Sequence, residues 1–195
     1  MDYQKIIKQN FEESINTSKT SSSELIESIN IATLKILQVI DNGGKILSCG
    51  NGGSSGDAQH LSSELVNRFE KERRELAGIS LNSDTAIMTA IANDYDYKFI
   101  FSKQINAIAN SGDDLLIAFT TSGNSENILE ALKAAKSKNI PTILITGNDG
   151  GKASGLLDSN FDHEIRVPSN RTSRIQEIHL IIIHSICECI DNYIS

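Results

Sequence analysis

His60 and Glu64 stand four residues apart, so any helix spanning them presents an imidazole and a carboxylate on one face. Such a pair can relay a proton as general acid and base, or offer N and O atoms to a metal such as zinc. A bare pair of this kind is more often a solvated ion pair, and its surroundings carry the case for chemistry. Immediately upstream runs Cys49-Gly50-Asn51-Gly52-Gly53-Ser54-Ser55-Gly56-Asp57, rich in glycine and hydroxyls. Glycines let a backbone approach a ligand closely, and the free N–H groups at a helix start favour an anion. A second stretch of the same character, Thr120-Thr121-Ser122-Gly123-Asn124-Ser125, precedes another predicted helix, with Ser125 placed as N-cap and anion ligand. Far along the chain, Gln176, Glu177, His179 and His184 share the last predicted helix. Gln176 and His184 lie about 80° apart around it, so a long glutamine side chain is expected to converge with the imidazole. His60, Glu64, Gln176 and His184 therefore suit either zinc or a carboxylate–imidazole proton relay, and spacing does not choose between them.

The elements that must position these groups alternate. The first forty residues read as helical, and Asn42-Gly43-Gly44 ends them. Strands are predicted at Lys45–Cys49, Ala77–Leu81, Asp114–Phe119, Pro141–Thr146 and His163–Val167. Helices are predicted from about Ser55 to Phe69, then Asp84–Ala92, Tyr97–Ala109, Ser125–Lys138 and Ser173–Ile194, with a turn over Gly147-Asn148-Asp149-Gly150-Gly151. The run Leu180-Ile181-Ile182-Ile183-His184-Ser185-Ile186 is expected to be buried as a whole. Strands separated by helices imply a mostly parallel sheet covered on both faces, an α/β three-layer sandwich with an N-terminal helical arm. No linker divides the chain, so residues 1–195 read as one domain, with a helical arm over 1–41 and an α/β core over 45–195. In such sheets, two loops at the carboxyl ends of parallel strands are where ligands bind.

Composition narrows the ligand. With 18 basic and 25 acidic residues the net charge is −7, which argues against a nucleic-acid surface. An anion must then be held locally, by backbone N–H groups and hydroxyls. Neither loop contains the Gly-Lys-Ser/Thr of a nucleotide-binding P-loop, and Ser55 stands where a dinucleotide fingerprint needs its third glycine. A small phosphorylated molecule fits better. No segment has the length of a membrane span, and the N-terminus lacks the apolar stretch of a signal peptide. Cys49, Cys187 and Cys189 make an odd number and are expected to be reduced and buried, in keeping with the cytoplasm.

At these residues the chain resembles the sugar isomerase (SIS) domain family, and within it the phosphoheptose isomerases. The resemblance rests on Gly50-Asn51-Gly52-Gly53-Ser54-Ser55, Ala58-Gln59-His60, Glu64-Leu65-Val66-Asn67-Arg68, Ala90-Ile91-Ala92-Asn93-Asp94-Tyr95, Thr121-Ser122-Gly123-Asn124-Ser125, and Arg174-Ile175-Gln176-Glu177 through His184. It covers essentially the whole chain. It implies a flavodoxin-like fold and interconversion of sedoheptulose 7-phosphate with D-glycero-D-manno-heptose 7-phosphate, the first step toward the ADP-heptose of lipopolysaccharide core. It further implies Glu64 as catalytic base and His184 as its acid/base partner. One zinc per subunit would lie on His60, Glu64, Gln176 and His184. Substrate contacts are implied at Asn51, Gly52, Gly53, Ser54, Glu64, Asn93, Asp94, Thr120, Thr121, Ser122, Ser125 and Gln176. The resemblance also implies a homotetramer with sites at subunit contacts. Thr120 replaces a serine of many members, and Ser173 replaces an aspartate of some. A neighbouring branch comprises non-catalytic regulators that bind the bacterial replication initiator. That branch typically lacks the carboxylate and imidazole that Glu64 and His184 retain here.

Overall fold

A computed structural model describes residues 1–194. The apolar runs read from the sequence become five parallel strands, β1 (Ile46–Gly50), β2 (Gly78–Ser80), β3 (Leu115–Phe119), β4 (Thr142–Gly147) and β5 (His163–Val167). Their spatial order is β2-β1-β3-β4-β5. The helices are α1 (Tyr3–Glu24), α2 (Ile26–Asp41), α3 (Gly53–Val66), α4 (Thr85–Asp94), α5 (Ser102–Ile108), α6 (Glu126–Ser137), α7 (Gly151–Ser154) and α8 (Thr172–Ile194).

Strand residues alternate between the two faces. Ile46, Leu115, Ile117 and Phe119 pack against α2, α3 and α8 through Ile36, Leu61, Leu65, Ile178 and Ile182. Leu47, Cys49, Leu116 and Ala118 pack against α5 and α6 through Ile105, Ile128 and Leu132. Each fully buried Leu or Ile contributes roughly 1.5–3 kcal/mol, so the two faces fix the register of the sheet. The expected three-layer α/β sandwich is the observed fold. The order reverses at β1, whose register pairs Gly50 with Phe119 of β3. The loops after β1 and β3 therefore leave adjacent strands side by side, at the switch point of the sheet.

Several local expectations change. The helix predicted over Tyr97–Ala109 is a 3-10 turn (Tyr97–Phe99), capped by the Asp96 side chain on the Lys98 N–H, followed by α5. The predicted turn ends early, because Gly150, left-handed at φ +79°, starts the short helix α7 at Gly151. In the run 180–186, Leu180 and Ile181 face outward. A helix at about 100° per residue cannot bury seven consecutive side chains against one sheet. The buried histidine of α8 is His179, whereas His184 is half-buried at the edge. Cys49 and Cys187 are buried and free, but Cys189 is free and exposed. Two helices bury almost nothing: α1 hides only Ser21, and α4 hides no residue. Tyr3, Ile6, Phe11 and Ile15 of α1 and Ile87 of α4 are left facing outward.

Candidate active site

The first loop begins where β1 ends. Asn82 clamps that end, its side-chain oxygen accepting the Gly50 N–H at 3.1 Å and its amide donating to the Gly50 carbonyl at 2.9 Å. Gly52 then takes φ +56°, a conformation costly for any residue with a side chain. At Gly53 a Cβ would come within 2.4 Å of Gln176 Nε2, so the Gln176 amide of α8 rests directly on the loop backbone. Asn51 exchanges reciprocal amide bonds of 2.8 Å with Asn127 on α6, which ties the first loop to the second.

The second loop is shaped by Thr120, whose hydroxyl accepts the Gly123 N–H at 3.1 Å. Gly123 sits at φ +64°, where a Cβ would fall 1.9 Å from the Gly150 carbonyl. Ser125 is the N-cap of α6, yet its side chain makes no capping bond. That hydroxyl and the first N–H groups of α6 remain available to an anion. Between the loops lies a cleft of about 300 Å³ lined by Asn51, Gly52, Gly53, Ser54, Thr120, Thr121, Ser122, Ser125 and Gln176, together with Phe119 and Thr172. Nine residues expected from the sequence thus meet in one place. Asn93 and Asp94 lie outside it, exposed at the end of α4 and bonded to each other at 2.8 Å. The cleft wall contains no charged side chain, so any phosphate there is met by N–H groups and hydroxyls.

The ionisable groups gather further along α3. His60 Nε2 and Glu64 Oε1 are 3.0 Å apart, and both side chains remain partly exposed. The His184 ring meets His60 edge-on at 5.1 Å and Phe69 at 5.4 Å between centroids. Behind them the Cys187 thiol is pushed up to about 12, first by burial and then by the negative charge of Glu64. His60 thus stands between a carboxylate and a second imidazole, with both of its own partners partly open to solvent, a set of groups whose chemistry is that of proton transfer.

His179 has a different role. Its Nε2 donates to the Thr146 carbonyl at 3.2 Å, and its Nδ1 faces Asp57 Oδ2 at 3.7 Å, a core contact between α8, β4 and α3.

Gln176 does not converge with His184 within one chain. Its amide faces Gly53, while His184 lies eight residues and about 12 Å further along the helix axis. The angular argument holds, and the rise defeats it. In donor chemistry, His60, Glu64 and His184 suit zinc. Among the described residues, however, no group of three or more His, Cys, Asp or Glu side chains is arranged to hold a metal ion. Glu64 instead bonds His60 directly.

Sequence reasoning passed over Asn127, Asn82, Phe69 and Thr172. Asn127, the second residue of α6 and two behind the predicted cap, carried the most readable signal, a buried amide in the first turn of a helix that leaves the second loop.

The family described as SIS domain matches residues 9–147 of this chain. A phosphoheptose isomerase of Alteromonas mediterranea is 52% identical over 186 residues, covering 95% of this chain and 93% of that one. Among solved structures, a phosphoheptose isomerase from Francisella tularensis superposes with a TM-score of 0.95 at 41% identity, covering 98% of this chain and all of that one. Another, from Neisseria gonorrhoeae, gives 0.93 at 42% identity over the same shares.

Proposed function

This chain belongs to the SIS domain family, and on that premise we propose that it is a phosphoheptose isomerase, interconverting sedoheptulose 7-phosphate and D-glycero-D-manno-heptose 7-phosphate. The observation that carries the reading is an uncharged, hydroxyl-lined anion cleft together with Glu64 bonded to His60 and His184 packed on His60, in one fold. An aldose–ketose isomerisation needs both. A proton must move between neighbouring carbons through an enediolate, and a remote phosphate must supply binding energy that holds those carbons in place.

Glu64 takes the proton from the carbon beside the carbonyl and returns it to the neighbouring carbon. His184 supplies and recovers the proton on the oxygens, so the enediolate is never a free dianion. Thr121, Ser122, Ser125 and the first turn of α6 hold the phosphate. Asn51 to Ser54 and Gln176 hold the sugar near the first loop. Zinc, when bound by His60, Glu64 and His184 with Gln176, would supply a Lewis acid for the carbonyl oxygen.

The protein acts as a homotetramer. Glu64 lies eleven residues past Gly53 on α3, a rise of about 16 Å, longer than a single site comfortably spans. A cleft of one chain completed by the ionisable cluster of another would close that gap. Helix α1 and the unburied α4 supply apolar contact surface. The three free cysteines suit a reducing cytoplasm, and the net charge of −7 disfavours nucleic acid.

The direct experiment is incubation with sedoheptulose 7-phosphate, following the aldose product. No conversion by folded, tetrameric protein, with and without added zinc, would overturn the reading. Elemental analysis of protein purified without chelator tests the metal, and light scattering tests the tetramer.

A further inference from the structure

Glu64 sits in the last turn of α3, where carbonyl groups have no helical partner. Two of them are taken up by one side chain. Arg73 Nη2 donates to the Glu64 carbonyl at 2.6 Å, and its Nη1 donates to the Leu65 carbonyl at 3.0 Å. The same guanidinium donates through Nε to Asp191 Oδ1 at 2.8 Å. Asp191 Oδ2 in turn accepts the backbone N–H groups of Glu70 and Lys71, each at 2.8 Å. Both charged side chains are only 1% exposed. Charges withdrawn from water this completely persist only where hydrogen bonds replace hydration, and removing either partner strands the other.

The clamp reaches both members of the proton relay. Its loop carries Phe69, whose ring lies 5.4 Å from that of His184. Asp191 is seven residues past His184, two turns along the same face of α8. The pair thus ties the end of the helix bearing Glu64 to the helix bearing His184, with Phe69 packed between. Because Arg73 bonds the Glu64 backbone and not its carboxylate, it bears on where the base stands.

We infer that Arg73 and Asp191 are positioning residues for the isomerisation, setting the separation of Glu64 from His184 through the segment 67–75. This rests on the isomerase reading above. Without the clamp the last turn of α3 is free to fray, and a misplacement near 1 Å costs a rate on the order of a hundredfold.

The test uses the full-length protein with Arg73→Lys and Phe69→Leu, comparing kcat, KM and Tm per folded molecule. A lysine keeps the charge but cannot bond Asp191 and both carbonyls at once. The expected result for Arg73→Lys is a kcat lowered roughly ten- to a hundredfold with KM within about threefold of wild type. Phe69→Leu is expected to lower kcat roughly fivefold, again sparing KM. A merely structural role would lower Tm and the folded fraction but leave kcat per folded molecule unchanged, and that result overturns the inference. If Arg73→Lys does not fold, Phe69→Leu decides on the same criterion. A wild type that is itself inactive on sedoheptulose 7-phosphate fails the isomerase reading and this inference with it. An active wild type with unaltered variants fails this inference alone.

Discussion

The two ends of α3 solve different problems with different materials. At its start, Gly52, Gly53 and Ser54 join the hydroxyl loop Thr120–Ser125 in a cleft with no charged wall. At its finish, Glu64, His60 and His184 gather ionisable groups, with a buried ion pair behind them. An anion is satisfied by backbone N–H groups and hydroxyls that a short loop supplies by itself. Proton transfer needs groups set against one another to fractions of an ångström, and those come from segments more than a hundred residues apart. The contrast is between a site made by local conformation and one made by packing.

Substitutions at the two ends should therefore fail differently. The largest effect is expected at the relay: Glu64→Gln removes the base while preserving shape, and turnover should fall by about 10⁴-fold with Tm and assembly unchanged. Steady-state kinetics together with a thermal melt check this, and near wild-type turnover would return Glu64 to a solvated surface pair. His184→Gln is expected to lose about a hundredfold in kcat, with KM little changed. An unchanged rate would make the ring a packing partner of Phe69 and nothing more.

At the cleft end the loss should appear in binding. Ser125 makes no capping bond, so Ser125→Ala should leave Tm within about a degree while raising KM roughly tenfold, the worth of one charge-assisted hydrogen bond. A large drop in Tm would instead assign the hydroxyl to the helix.

The smallest effect is one of pH. Burial alone would raise the Asp191 carboxyl, but the N–H groups of Lys71 and Glu70 and the Arg73 guanidinium outweigh it and hold the group below its ordinary value. A carboxylate with a lower pKa folded than unfolded stabilises the fold above its unfolded value. That contribution fades as pH falls through the folded value. Acid unfolding followed by circular dichroism should thus show Asp191→Asn less stable at neutrality and flatter than wild type below about pH 4. Parallel curves would remove Asp191 from the acid limb.

Most of the cleft is legible in the sequence. Its hydroxyls and glycines fall in two short stretches, each between a buried strand and a helix, and local sequence dictates local backbone there. The parallel sheet and its order of elements were legible for the same reason, since apolar runs of strand length stand out between helical periods. The clamp was not. Arg73 lies in a highly charged stretch, Glu70-Lys71-Glu72-Arg73-Arg74-Glu75, that reads as a solvated loop, and nothing in it singles out the residue that turns inward. His179 and His184 were similarly indistinct, because five residues on a helix move a side chain to another face and the buried face is set by what packs against it.

The sequence by itself determined which residue types line the cleft and in which loops, because glycine torsions, hydroxyl donors and helix starts are properties of a few neighbouring residues. Only the tertiary structure decided that Gln176 lies against the first loop while His184 packs on His60. The separation is two turns of rise along α8, and the partner of each side chain comes from whichever level of α3 it meets.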